Sequence, residues 1–169
     1  MPQYARTALV ILGLTVVLVV VGLWGWQRAT EPFPGKADPP KCLPQDVAAG
    51  DKVFADQVTV SVYNASDRNG LAGRTMNQLV NAGFGEGDTG NAPKDAQVPY
   101  AQIWTETPKS PDVLLVAAHL GPDTEVVRRN SRGVGVTVLV GDAFEELVKK
   151  APRRVVADEA ATICSPPVS

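Results

Sequence analysis

The stretch that decides the fold is Val58–Phe84, VTVSVYNASDRNGLAGRTMNQLVNAGF. Its first residues alternate valine with Thr or Ser, and a period of two is typical of a strand. Residues 64–70, NASDRNG, have the composition of a turn, and Asn69 is the predicted N-cap of a helix. Over Leu71–Ala82 the apolar residues recur at helical spacing, and a glycine then ends the helix. We predict a strand, a polar loop and a helix, after which Phe84 returns to the core.

The rest of the domain continues this alternation of elements. Residues 85–97 are polar and rich in glycine, with a weak extra strand as an alternative over 84–89. The other predicted elements are strands at Ala101–Glu106, Thr124–Arg129 and Val134–Val140 and helices at Asp112–Leu120 and Ala143–Lys150. Ser110-Pro111 has the pattern of an N-cap followed by proline at the first helical position. The predicted fold class is α+β: a small βαβ-type sandwich with two helices on one face of about four or five strands.

An uncharged apolar run, Ala8–Trp26, precedes the domain. Its length of about 19 residues is enough for a helix to cross a hydrocarbon core of about 30 Å. Two tryptophans at its far end fit the aromatic belt of a membrane interface. A cleaved signal peptide is the alternative, but its apolar region is usually shorter and is followed by a small-x-small site. We predict membrane contact through residues 8–26, after a short segment, 1–7.

The remaining organisation follows from composition. Residues 27–54 are predicted as a Pro-rich linker, whose prolines are typical of a semi-rigid spacer. The domain is predicted over 55–150 and a polar tail over 151–169. Charges on the two sides of the apolar run are nearly balanced, so the positive-inside rule gives almost no indication of the orientation in the membrane. The tiny N-terminus and the two cysteines favour a single-pass protein of the cell membrane, with the N-terminus cytoplasmic and the domain extracytoplasmic.

Charge and cysteine usage exclude several classes of protein. The formal net charge is −2 and acidic and basic residues are interspersed, so a nucleic-acid partner is not predicted. Cys42 and Cys164 bracket the folded region, and neither belongs to a CxxC motif, so zinc and thioredoxin-type sites are not indicated. In an extracytoplasmic protein their natural use is a Cys42–Cys164 disulfide, and the alternative is two free thiols in the tails.

The opening stretch resembles the LytR C-terminal domain family. Members open with an alternating valine strand ending V-x-N-[GA]-[ST], here residues 62–66, then a Gly-Leu-Ala helix start, here 70–72, and a Gly-Phe exit, here 83–84. Asn91-Ala92 matches the Asn-Ala that usually follows the next strand. Residues 138–144, VLVGDAF, are similar to the closing signature, although the Asp lies one place early.

The resemblance implies a role in the cell envelope and no reaction. In this family the domain often follows a catalytic domain that attaches envelope polymers to peptidoglycan, and this chain is too short to hold one. Its stand-alone layout is similar to that of actinobacterial members that maintain envelope integrity. The implied partner is a cell-wall polymer or an envelope protein, with no cofactor. The alternative is an accessory or regulatory subunit that acts in trans on a wall-polymer transferase.

Candidate ligand-binding residues come from two places. A loop held between a strand and a helix often carries binding function, and guanidinium groups suit the phosphates or carboxylates of a polymer. The predicted residues are Asn64, Ser66, Asp67, Asn69, Arg128, Arg129 and Arg132. The structural alternatives are turn and cap formation for the loop and an exposed strand end for the arginines.

No catalytic or metal-binding constellation is recognisable in the sequence. His119 is the only histidine, so a Ser/His/Asp triad is not indicated, and a satisfied or surface role is predicted for it. The adjacent acidic pairs Glu145-Glu146 and Asp158-Glu159 do not have the arrangement of carboxylates that face each other across a cleft. The G-x-G-x-x-G match at residues 85–90 follows a helix instead of a strand, so we predict a flexible loop there and no dinucleotide site.

Overall fold

The computed structural model of the chain describes residues 3–29 and 40–167. The chain divides into two units, Met1–Pro39 and Pro40–Ser169, which are taken one at a time. Most of the Pro-rich part of the predicted linker lies in residues 30–39, outside the described residues.

The first unit carries one helix, α1, over Gln3–Ala29. Many of its apolar side chains are exposed, for example Leu18 at 69% and Trp26 at 74%. Over residues 3–29 and 40–167, no helix has both the length and the apolar character that crossing a membrane demands. The predicted span at residues 8–26 lies within α1.

Within residues 40–167, the second unit contains nine strands and two α-helices. The strands are β1 (Leu43–Val47), β2 (Lys52–Phe54), β3 (Thr59–Asn64), β4 (Gly85–Asn91), β5 (Ala101–Thr105), β6 (Thr124–Arg128), β7 (Val136–Val140), β8 (Arg154–Val156) and β9 (Ala161–Ser165). The helices are α2 (Leu71–Asn81) and α3 (Pro111–Leu120), with a 3-10 turn at Ala55–Gln57.

The central sheet has five strands in the order β4-β3-β7-β5-β6. Strand β3 is parallel to both β4 and β7, β5 is antiparallel to β7, and β6 is parallel to β5. The sheet therefore contains two strand–helix–strand units, β3–α2–β4 and β5–α3–β6, on either side of β7. Because β5 runs against β7, the carboxyl ends of β3 and β4 lie at one edge of the sheet and those of β5 and β6 at the opposite edge.

Both helices pack on the same face of this sheet, as predicted. Apolar residues of α2, α3 and the strands belong to one buried cluster, which includes Leu79, Leu115, Ile103 and Val138. Each of these four residues is completely buried, and full burial of such a side chain stabilises the fold by about 1.5–3 kcal/mol. Helix α3 is apolar nearly all round because it is buried over most of its surface.

The other face of the sheet has a smaller apolar cluster of Val98, Trp104 and Leu139. It is covered by loop residues such as Ala92 and Ala96 instead of by a helix. Ser61 lies on this face and is also buried. Its hydroxyl is satisfied there, because Oγ donates to the carbonyl oxygen of Val134 at 2.6 Å. Loops thus close the second face.

Strand β4 corrects the prediction of a flexible loop at residues 85–90 and supports the alternative, an extra strand over 84–89. The segment pairs in parallel with β3 along its length, with an irregularity between Val60 and Val62. At Gly87 an added Cβ would lie 2.7 Å from the carbonyl oxygen of Val60, so only glycine allows this approach. The glycines reduce strand propensity, but close backbone pairing outweighs that preference.

The prediction of a helix at Ala143–Lys150 is wrong. This segment has no helix in the structure, because its backbone N–H groups bond to distant partners. Ala143 N donates to the oxygen of Pro99 at 3.0 Å, and Val148 N donates to the oxygen of His119 at 2.8 Å. Phe144 is completely buried in the core, which anchors the segment as an irregular connection.

The compact unit is wider than the predicted domain at 55–150. Strands β1 and β2 lie in the predicted linker and pair with β9 and β8, which lie in the predicted tail. Cys42 and Cys164 form a disulfide, with Cα atoms 5.4 Å apart, and Cys164 itself pairs with Pro44 in the β1–β9 ladder. The disulfide prediction is confirmed, and both ends of the domain are held together by pairing and by a covalent bond.

Candidate functional site

The predicted loop lies at the carboxyl end of β3, and two of its side chains build the turn itself. Asn64 Nδ2 donates to the oxygen of Arg68 at 2.8 Å. Asn64 Oδ1 accepts from both Ser66 N at 3.0 Å and Ser66 Oγ at 2.7 Å. Asn64 and Ser66 therefore hold the loop in shape. The N-cap of α2 is Gly70 and not Asn69, which was the predicted cap.

The other two predicted loop residues have exposed side chains. Within residues 40–167, the carboxylate of Asp67 and the amide of Asn69 have no hydrogen-bond partner. Their backbones are fixed, since Asp67 N donates to Asp142 Oδ1 at 3.2 Å and Arg74 Nη1 donates to the oxygen of Asn69 at 2.9 Å. The fixed backbone therefore holds these side chains in position, while their polar groups make no hydrogen bond within residues 40–167.

This loop forms one side of a polar groove of about 460 Å³, which we call the β3–β4 groove. The other side comes from residues 91–96, which follow β4 and include Asn91 and Lys94. Ligands of open α/β sheets commonly bind at the carboxyl ends of parallel strands, which is where this groove lies. Sequence reasoning included the first side and missed the second, although the Asn91-Ala92 match to the family was a signal for it.

Arg68 and Asp142 attach the loop to the exit of β7. Arg68 Nη1 donates to the carbonyl oxygens of Asp142 at 3.1 Å and Phe144 at 2.6 Å. The Asp142 carboxylate accepts from the backbone of the loop. The Asp that lies one place early in the family signature is thus a positioning residue for the groove.

We expect Arg68→Ala to lower the free energy of unfolding by about 1–2 kcal/mol, because two carbonyl oxygens lose their donor. Amide hydrogen exchange at Asp67 should become faster as the loop loosens. The matched control, Arg74→Ala, removes a single exposed bond and is expected to cost about 0.5 kcal/mol. Urea unfolding measures both variants, and equal losses would contradict the role given to Arg68.

The three predicted arginines do not form one cluster. Arg129 stacks over Trp104, with its Cζ 4.3 Å from the ring centroid, and lies 3.7 Å from Asp95. The Cζ of Arg132 is 5.7 Å from the centroid of Tyr63 on the same loop-covered face. Because side chains alternate along β6, Arg128 projects to the helix side of the sheet and lines a different groove.

That second groove has a volume of about 410 Å³ and lies at the carboxyl ends of β5 and β6; we call it the β5–β6 groove. One side is formed by Arg128 and by residues 106–110, between β5 and α3. The other side is formed by residues 159–162, at the start of β9. The sequence identified only Arg128, because the other residues come from separate parts of the chain.

A buried carboxyl group, that of Asp112, lies behind Ser110, which lines this groove. Ser110 Oγ donates to Asp112 Oδ1, next to the first turn of α3. Burial raises the pKa of the Asp112 carboxyl above its ordinary value of 3.8, and the hydrogen bond from Ser110 opposes that shift in part. The folded protein therefore binds a proton at Asp112 more tightly than the unfolded chain does.

This shift predicts a pH dependence of stability. A raised folded-state pKa stabilises the fold below pH 3.8, and that contribution is lost as pH rises through the folded-state pKa. Asp112→Asn stays neutral, so the wild type should lose stability relative to this variant over the same rise. Urea unfolding of both proteins across the acidic range measures the difference, and a difference that does not vary with pH would refute the assignment.

His119 has a structural role, in agreement with the prediction that its side chain is satisfied within the fold. It is buried, its Nδ1 donates to the oxygen of Leu115 at 2.9 Å, and its ring packs edge-on against Phe84 with centroids 4.8 Å apart. Over residues 3–29 and 40–167, no group of three or more His, Cys, Asp or Glu side chains is placed to hold a metal ion.

Comparison with solved structures gives one significant match. The soluble domain of a conserved hypothetical secreted protein (Rv2700 ortholog) from Mycobacterium marinum is 24% identical, with a TM-score of 0.49. The alignment covers 61% of this chain and 68% of that chain. A search of curated proteins found no match.

A family model described as "LytR cell envelope-related transcriptional attenuator" matches residues 57–144. The match runs from Gln57, at the end of the 3-10 turn before β3, to Phe144, which follows β7, and covers just over half of the 169 residues. It includes both sides of the β3–β4 groove and the Arg68–Asp142 contact. The chain therefore belongs to the LytR C-terminal domain family.

Proposed function

We propose that this chain is a non-enzymatic protein of the cell envelope that supports envelope integrity by binding a wall component or an envelope protein. The observation that carries the proposal is the β3–β4 groove, a polar groove inside the segment that matches the family. The family's description refers to the cell envelope. We place the second unit outside the cytoplasm, since the Cys42–Cys164 disulfide fits an oxidising compartment.

The chemistry of the groove supports a polymer with many hydrogen-bonding groups. The amides of Asn69 and Asn91 each offer donors and an acceptor, and Asp67 and Lys94 add one charge of each sign. The turn bonds of Asn64 and the contact from Arg68 fix one side of the groove before a ligand arrives. Pre-organisation of this kind reduces the entropy lost on binding.

Membrane attachment through residues 8–26 is part of the proposal and rests on the sequence of that run and on the exposure of its apolar side chains. Among residues 3–29 and 40–167, no helix combines the length and apolar character of a membrane span, and an alkaline wash tests the attachment directly. Cell membranes washed at alkaline pH should retain the chain if α1 crosses the bilayer. Release into the wash would show that the helix does not span.

Binding to purified cell-wall material tests the wall-component form of the proposal. The full chain should sediment with the material, and the double variant Asn69→Ala, Lys94→Ala should bind about tenfold more weakly if these residues contact the ligand. The control pair Asp56→Ala, Lys149→Ala lies outside the groove and should bind like the wild type. Binding that is absent, or equally weak in both double variants, would remove the wall component as the ligand of this groove.

A further inference from the structure

The β5–β6 groove contains four charged side chains that make no ion pair and no hydrogen bond within residues 40–167. They are two acids and two bases, Glu106, Lys109, Arg128 and Glu159. The lining also includes small apolar residues such as Pro108 and Ala160. Unpaired charges of both signs in a partly apolar groove are complementary to a small ligand that itself carries both signs.

The two sides of the groove carry these charges in a defined arrangement. In the parallel β5–β6 ladder Thr105 is opposite Arg128, so Glu106, the next residue, and Arg128 line the same side of the groove. Glu159 belongs to the turn between β8 and β9, on the other side. A ligand that crosses the groove therefore meets a guanidinium group at one end and a carboxylate at the other.

Both sides are held in place by the fold. On the first side, Thr107 N donates to Thr105 Oγ1 at 3.0 Å and Ser110 N donates to the oxygen of Thr107 at 3.0 Å. On the second side, β9 pairs with β1, and Cys164 of β9 is bonded to Cys42, the residue before β1. The groove is therefore pre-organised, and little ordering entropy is lost when a ligand enters.

We propose that the β5–β6 groove binds a short zwitterionic peptide of small residues, with its carboxylate on Arg128 and its amino group on Glu159. A guanidinium fork matches a carboxylate in two parallel hydrogen bonds. Glu159 is the partner of the amino group because Glu106 lines the same side as Arg128, where the ligand carboxylate lies. This is a second binding site at the opposite edge of the sheet, and it stands whether or not the β3–β4 groove binds a wall component.

The test is isothermal titration of the purified full chain with four forms of alanyl-alanine. These are the free dipeptide, the N-acetylated form, the C-amidated form and the form blocked at both ends. Exposed ion pairs contribute modestly, so each blocked end should weaken binding about three- to fivefold. Arg128→Gln should make the free and the amidated dipeptides bind equally, and Glu159→Gln should make the free and the acetylated dipeptides bind equally.

Two variants outside the groove, Arg153→Gln and Glu145→Gln, are matched controls and should leave all four affinities unchanged. The proposal is overturned if the doubly blocked dipeptide binds as tightly as the free one, or if no form binds at a concentration of about 10 mM. It is also overturned if the control variants change the affinities as much as the groove variants do. Wall binding by the Asn69→Ala, Lys94→Ala protein reports on the other groove, so failure of the two proposals is distinguishable.

Discussion

The double substitution Cys42→Ser, Cys164→Ser is expected to lower the free energy of unfolding by about 4–5 kcal/mol at neutral pH. The two cysteines are 122 residues apart, so the bridge closes a long loop and restricts the unfolded chain strongly. Urea unfolding of the oxidised wild type and of the double variant measures the loss. The variant should also lose amide protection first in β1 and β9, the paired strands next to the disulfide.

The reduced wild type is the control, since it removes the bond but keeps the cysteine side chains. It should unfold at the same urea concentration as the double variant. A loss below about 1 kcal/mol in both proteins would contradict the entropic account and would leave the β1–β9 pairing as the main link between the ends of the domain.

Gly141→Ala is expected to destabilise the protein by about 3 kcal/mol, near the upper end of overpacking costs. Gly141 directly follows β7, and an added Cβ would overlap the carbonyl oxygen of Val98 and lie 2.7 Å from that of Pro99. Gly141 N also donates to the oxygen of Tyr100 at 2.7 Å, so the two backbones cannot easily separate. Thermal or urea unfolding gives the difference.

Gly73→Ala is the matched control for this substitution. Gly73 lies inside α2 with nothing within 4 Å of an added Cβ. Alanine there should raise the free energy of unfolding by about 0.5–1 kcal/mol, because it reduces the entropy of the unfolded chain and favours the helix. Equal effects at the two positions would contradict the close contact between the backbones of Val98 and Gly141.

The alternation of valines in β3 and the helical spacing of α2 made the first strand–helix unit predictable, since both patterns are local. The Ser110-Pro111 start of α3 was also readable, and the structure has Ser110 as the N-cap with Pro111 first in the helix. The segment of β4 was predicted as a loop, with a weak strand over 84–89 only as the alternative, because its glycines reduce strand propensity. It exists through backbone pairing with β3, which no local pattern reports.

The error at residues 143–150 has a similar cause. The sequence there suits a short helix, but its N–H groups bond to Pro99 and His119, far away along the chain. The short strands β8 and β9 pair with β2 and β1, at the other end of the domain. Non-local pairing of this kind decides structure where local propensity is weak.

The candidate sites also differ in whether local sequence patterns predict them. The Asn64–Asn69 loop was visible because turn residues lie between a strand and a helix. The β5–β6 groove needs residues from three separate segments, and the sequence offered only Arg128. Charged residues at the ends of two strands, such as Glu106 after β5, were the available signal, since parallel strands bring their carboxyl ends to one edge.

The most direct test of the central claim, that the β3–β4 groove binds an envelope component, is photo-crosslinking in cells. A photoreactive residue at position 69 should trap a wall fragment or one envelope protein. The same residue at exposed position 56, which lies outside the groove, should trap neither. A trapped wall-polymer transferase would support the accessory-subunit alternative. Identical products from the two positions, or none from position 69, would contradict the claim.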